Sequence, residues 1–206
     1  MTSPGPLHPK GSVSAALLRL KTSHKEAHVS VQAILDSMQE ASFALLLMLV
    51  AAPMALPLPA LGIAQVFSVP LLLLSAQLAY GRHTPWLPDW LGQKTVTRER
   101  LVQVIDGLVP YLEKLERMIR PRLRGCSSVL GIRLFGAFCS LCSISVAIPL
   151  PFTNTVPSIG IVLICAGLME RDGLVMLSGV VVGCAGLMIT TAVILLGTEA
   201  IQAVFF

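Results

Sequence analysis

The residues best suited to chemistry sit beside two proline motifs. Thr153, Asn154 and Thr155 follow Pro149-Leu-Pro151 and precede Pro157, inside an otherwise apolar stretch. Their amide and hydroxyl groups both donate and accept hydrogen bonds. Polar groups are costly among membrane-depth apolar residues, so these three are candidate ligand contacts. Gln77 is the lone amide of the run from Leu71 to Arg82, which follows Pro57-Leu-Pro59 and Pro70. Arg82 ends that run, and Glu170-Arg171-Asp172 ends the run after Pro157. Together these types suit recognition of a phosphate or carboxylate. Helix N-termini expected just after Pro70 and Pro157 would add free N–H groups and the positive end of a dipole. Each residue also has a structural alternative. Asn154 can cap a helix and Gln77 can bond a neighbouring helix; the charged residues can pair across the two halves as a gate or bind a lipid headgroup, and their structural alternative is to anchor the chain and form turns.

No catalytic constellation accompanies them. The sequence has no Gly-rich phosphate loop with a following Lys and Ser or Thr, no HExxH and no GxSxG. The acids on the presumed cytoplasmic side occur singly on basic stretches or in the Glu170–Asp172 turn, apart from Asp89. A nucleotide-sugar transferase needs a donor-binding domain or clustered carboxylates. The expectation is therefore a non-enzyme without cofactor or metal. Cys139-Ser-Leu-Cys142 has the spacing of a metal or redox pair, but it lacks a second pair and lies among Phe, Leu and Ile. These cysteines read as small residues packed between helices.

The elements that would position these groups are built around the prolines. Ala55-Leu-Pro-Leu-Pro59 recurs 92 residues later as Ala147-Ile-Pro-Leu-Pro151, each in the middle of a long apolar segment. Two prolines one residue apart remove two backbone donors and fix two φ angles, so a helix cannot continue through them. The run after each motif also corresponds, with Leu78 matching Leu168. An internal duplication explains this; chance recurrence of frequent Ala, Leu and Pro is the alternative.

Of 206 residues, 54% are hydrophobic and 13% charged, with a mean hydropathy of +0.79. Soluble domains carry about 25% charged residues. Long apolar runs in so uncharged a chain point to an all-α, polytopic membrane protein of two related halves. Residues 1 to 12 are proline-rich and polar, and read as a disordered tail. Residues 13 to 206 form a single membrane domain: a first half over 41–90, an amphipathic basic connection over 91–126 and a second half over 127–196.

Short amphipathic helices are expected at Ser12 to Leu20 and at Val29 to Met38, the latter with Ser30 as N-cap. Ala41 to Met54 gives only about 14 residues before the prolines, where a full span needs about 20. It is either a short helix ending at the far interface or one arm of a re-entrant hairpin. If the breaks lie deep they mark a cavity, because bare backbone at membrane depth must be satisfied by protein or water. Trp86 and Trp90 fall where an interfacial aromatic belt belongs. Thr97 can cap a helix whose stripe is Leu101, Ile105, Leu108, Leu112, Leu115 and Ile119, kinked by Pro110 and ended by Pro121. Ser127 to Ile148 is an apolar segment with Arg133 snorkelling near its start. Leu174 to Leu196 is an uncomplicated transmembrane helix with a short tail from Gly197, and Gly179, Gly183 and Gly186 give it small-residue contact surfaces.

All fifteen Lys and Arg residues fall on the N-terminal side if each Pro-x-Pro faces away from it. The positive-inside rule then places the N-terminus, the basic connection and Glu170 to Asp172 in the cytoplasm. The basic connection reads as a topology signal and a contact for anionic lipid headgroups. Nucleic acid is not the expected partner, since acids interleave and no stacking aromatics accompany the arginines.

Read together, the landmarks resemble the ExoD family of bacterial membrane proteins. The resemblance covers about residues 28 to 185. It rests on Pro57-Leu-Pro59, Gln77-Leu-Ala-Tyr-Gly-Arg82, Pro85-Trp-Leu-Pro88, Arg120-Pro-Arg-Leu123, Pro149-Leu-Pro-Phe-Thr-Asn154 with Pro157, and Arg171-Asp-Gly173. The chain departs from the family pattern in Ala60-Leu61-Gly62 after the first motif and in its long proline-rich beginning. The resemblance implies a role in exopolysaccharide synthesis and brings no settled mechanism. Duplicated, broken apolar segments suit binding or translocation of an anionic lipid-linked saccharide intermediate or lipid carrier. The rivals are a scaffold holding polysaccharide-assembly proteins and a small ion or proton transporter.

Overall fold

The computed structural model describes residues 28–30, 40–56, 63–88, 92–97, 123–148 and 153–205, together with 32, 35–36, 99, 102–103, 106–107 and 109–110. Five α-helices carry the fold of these residues: α1 Glu40–Ala55, α2 Ile63–Ala79, α3 Val129–Ala147, α4 Thr155–Glu170 and α5 Gly173–Phe205. The tail, the Ser12 to Leu20 helix, the stripe of the basic connection, Trp90, Pro121 and the four prolines of the Pro-x-Pro motifs lie outside the described residues.

The described fold is all-helical, with one small addition. His28–Ser30 forms a strand, β1, paired antiparallel with β2, Thr95–Thr97. Ser30 lies opposite Thr95 in this ladder, so the expected helix from Val29 begins later; Gln32, Leu35 and Asp36 are helical. The ladder satisfies backbone groups that a helix start would leave open.

α1 and α2 make one hairpin, and α3 and α4 a second. Each helix packs more extensively on a helix of the other hairpin than on its own partner: α1 lies along α4, and α2 along α3. α5 then runs back along α4. The centre is filled by apolar side chains from all four hairpin helices, with Phe43, Leu47, Leu71, Cys139, Ile161 and Ile164 at most 1% exposed. A smaller cluster of Met54, Ala64 and Val146 closes the end where the breaks occur.

Small residues set the helix spacing. A Cβ added at Gly136 of α3 would meet the Ala79 backbone nitrogen at 2.6 Å, and one at Gly160 of α4 would meet Gly183 Cα of α5 at 2.8 Å. Both are well inside the 3.5–4.0 Å of ordinary carbon contact. Backbones therefore touch along α2–α3 and α4–α5, as in membrane helix pairs built on small residues. Hydroxyls add ties: Ser140 Oγ of α3 donates to Ser75 Oγ of α2 across 3.0 Å, and Ser145 Oγ of α3 donates to Thr190 Oγ1 of α5 across 2.8 Å.

The prolines act differently from expectation in three places. Pro53 lies inside α1, which continues to Ala55. Pro70 lies in the interior of α2, so the helix begins at Ile63 and no helix N-terminus follows Pro70. One missing donor is tolerated because the buried face of Ala64, Ser68, Leu71 and Leu74 holds the segment helical on both sides. Pro157 is the third residue of α4, in the first turn, where an N–H has no intrahelical partner anyway. The expected tail from Gly197 is also helical, since α5 runs to Phe205.

The outer surface is apolar as well as the core. Val66, Val69 and Leu73 on α2, Leu130, Leu134 and Leu141 on α3, and Val181 and Met188 on α5 are more than half exposed. Helices hydrophobic all round belong in a core or a bilayer, and a water-soluble monomer does not display apolar surface on this scale. α3 and the stretch Gly173–Leu196 are long and apolar enough to cross a membrane. α1, α2 and α4 are apolar but shorter. Their 16, 17 and 16 residues rise about 24–26 Å against a hydrocarbon core of about 30 Å.

Candidate functional site

The candidate residues separate into two groups at opposite ends of α4, about 24 Å apart by helix rise. At one end lie Gln77, Arg82, Glu170, Arg171 and Asp172. At the other, beside the breaks, lie Thr153, Asn154 and Thr155. They do not converge on one site half-way along the helices.

Most of the first group is engaged in building turns. Gln77 clamps the loop after α2: its Oε1 accepts from Trp86 N at 2.6 Å and its Nε2 donates to Trp86 O at 3.2 Å. Arg171 takes the left-handed conformation (φ 54°) that ends α4, and Asp172 N donates to Gly167 O at 2.8 Å. The buried Asp172 carboxylate caps α5 by accepting from Leu174 N at 2.9 Å. Glu170 is the last residue of α4. Arg82 is different. It is exposed and shares a surface pocket with Arg133 of α3.

At the other end, Asn154 and Ser158 leave hydrogen-bonding capacity unused. Thr153 is buried and Thr155 opens α4. Asn154 precedes the helix, but its side chain makes no cap bond, and its buried Oδ1 has no hydrogen-bond partner. One turn on, Ser158 is fully buried, and its Oγ is equally without a partner. In the corresponding first turn of α2, Gln65 Oε1 is buried and unpartnered too. Leaving such a group buried and unsatisfied costs roughly 1–3 kcal/mol. Buried polar groups are paired as a rule, so two exceptions one turn apart at the start of α4 call for an explanation; Ser127 Oγ, at the other end of the bundle, is a further exception.

Ser158 and Gln65 are functional candidates that sequence reasoning missed. Ser158 lies four residues after Asn154 and so on the same helix face. That spacing was the signal available, masked by the abundance of serine in the apolar segments. Gln65 has no such signal, because a helix expected to start after Pro70 leaves it outside the first turn.

Acceptors and donors alternate at the first turn of α4. Asn154 Oδ1 accepts, Ser158 Oγ donates or accepts, and the N–H groups of the first turn point along the helix axis with the positive end of its dipole. The arrangement suits an oxyanion that carries a hydroxyl beside it. No group of three His, Cys, Asp or Glu side chains among the described residues is placed to hold a metal. Cys139 and Cys142 are free thiols buried in α3, Cys139 in the core and Cys142 Sγ against the Gly183 position.

Among the described residues, five apolar helices, two of them long enough to cross a bilayer, point to a helical membrane protein. The model of the family described as "Exopolysaccharide synthesis, ExoD" matches residues 13–192, and the chain belongs to that family. An uncharacterized protein of Synechocystis is 35% identical over 152 residues, 73% of this chain and 72% of the relative. Protein ExoD of Rhizobium meliloti is 28% identical over 172 residues, 82% of this chain and 71% of that protein. No solved structure matches the chain.

Proposed function

We propose that this is a multi-pass protein of the bacterial inner membrane that supports exopolysaccharide synthesis by binding or translocating an anionic lipid-linked saccharide intermediate or carrier. Family membership supports the process. The observation that carries the mechanism is the pair of buried, unpartnered oxygens at the first turn of α4, Asn154 Oδ1 and Ser158 Oγ. A glycosyl phosphate offers phosphate oxygens to the N–H groups and the Ser158 hydroxyl, and a sugar hydroxyl to Asn154. The lipid portion would lie against the apolar outer faces of the helices.

Two features favour the duplicated, alternating architecture that such a role needs. The repeated motifs precede α2 and α4, and the packing of α1 on α4 mirrors that of α3 on α2, as a two-fold relation between hairpins requires. Arg82, Lys94, Arg133 and Arg171 lie away from the breaks, in agreement with a cytoplasmic N-terminal side. In this reading the break end faces the periplasmic leaflet.

The test is exopolysaccharide output from a strain relying on Ser158→Ala or Asn154→Leu, normalised to membrane-inserted protein. Output falling by about tenfold or more supports the site, since a charge-assisted hydrogen bond is worth about 1.5–3 kcal/mol. Parental output from both variants removes it and leaves a scaffold.

A further inference from the structure

We infer that the pocket between the end of α2 and the start of α3 seats the phosphate of an anionic glycerophospholipid from the cytoplasmic leaflet. It is a second lipid contact, at the opposite end of the bundle from the breaks. It rests on the reading of this end as the cytoplasmic headgroup region.

Arg82, His83 and Arg133 line the pocket, over a floor of Leu78, Val129 and Ile132. The fold brings the two arginines together in a defined way. Gly81 takes φ +81°, and a Cβ added there would lie 2.7 Å from the Arg133 Cζ. Only a glycine lets that guanidinium lie directly over the turn. The Arg133 head therefore lies against the turn that leads into Arg82. Two like charges thus share one pocket. An anion removes that repulsion, and guanidinium forks match phosphate oxygens in pairs.

The surroundings decide which phosphate. Leu130 and Leu134 continue from the pocket down the outer face of α3, Leu73 lies two turns below it on α2, and all three are more than half exposed. Tyr80 and Trp86, also exposed, sit at the level of the pocket, where amphipathic rings meet headgroups. A ligand here has its charge among arginines and its chains along leucines. That is the geometry of a bilayer lipid rather than of free phosphate.

The experiment uses the full chain purified into nanodiscs of phosphatidylcholine with a minor fraction of phosphatidylglycerol. Lipids retained after transfer to mild detergent are counted by native mass spectrometry. Phosphatidylglycerol should be retained preferentially, with the preference falling about tenfold in Arg82→Gln/Arg133→Gln. Gly81→Ala keeps both charges but displaces the Arg133 head, and it should lose most of the preference as well. Undiminished preference in the double variant, or in Gly81→Ala, overturns the proposal, and so does displacement of the lipid by millimolar inorganic phosphate. Exopolysaccharide output from Ser158→Ala is read separately, so a failed pocket leaves the site at the breaks standing, and the reverse. Failure of the chain to enter nanodiscs would overturn both.

Discussion

Replacing Ser158 by alanine separates a ligand site from a structural contact more sharply than any other substitution. The Ser158 side chain is fully buried, and its Oγ has no hydrogen-bond partner, so the folded protein carries the desolvation cost of that hydroxyl without return. Alanine removes one oxygen and no hydrogen bond. The cost relieved is roughly 1–3 kcal/mol, partly offset by the small void left behind. At about 2–4 °C per kcal/mol for a chain of this size, the melting temperature should hold steady or rise by a few degrees. Exopolysaccharide output should fall in the same variant. The assay is thermal unfolding in detergent, followed by tryptophan emission and paired with output normalised to inserted protein. A fall in melting temperature by more than about 3 °C would mean that Ser158 is satisfied in the native state and holds helices together. The reasoning from an orphaned hydroxyl to a ligand would then be refuted.

Other expectations follow from the packing and the turns. Gly183→Leu places a side chain where even a Cβ lies 2.6 Å from the Phe138 ring, and Gly160→Leu does so against the α5 backbone. Each should cost about 1–3 kcal/mol or more and reduce the yield of inserted, folded protein in a detergent melt. Asp172→Ala removes the cap on α5 and should lower stability by about 0.5–2 kcal/mol, while output per folded molecule stays at the parental level. Gln77→Ala releases both bonds to Trp86 and should expose the loop from Arg82 to Pro88 to trypsin in inside-out vesicles, with little change in melting temperature. Equal trypsin resistance in the two proteins would show that the clamp is not what orders the loop.

Much of this architecture is written in the chain. Hydropathy marks the apolar helices, and α1 and α3 end at Ala55 and Ala147, shortly before the positions of the two Pro-x-Pro motifs. Gly179, Gly183 and Gly186 announced a close helix contact, and each lies against α4 or the α3 side chains beside it. The proline reasoning failed at Pro70 because a lone proline removes only one bond, and the packing of Leu71 and Leu74 outweighs that loss. The candidate site was legible in residue type and not in role. Gln77, Arg171 and Asp172 looked like ligands, yet their polar groups are consumed by a loop clamp, a helix stop and a cap. Such uses depend on where a turn folds back, which spacing along the sequence does not encode. The small ladder of β1 and β2 was illegible for the same reason, since it joins strands separated by the whole first hairpin.

In the proposed function, the first turn of α4 is left polar and unpaired in order to hold an anionic sugar lipid. The most direct test is a structure of the protein solved in a lipid bilayer doped with a polyprenyl-phosphate-linked sugar. The account requires a phosphate within about 3 Å of Ser158 Oγ and a sugar hydroxyl on Asn154 Oδ1. A first turn closed on protein alone, with the Ser158 hydroxyl donating to a backbone carbonyl and the lipid phosphate elsewhere, would contradict it.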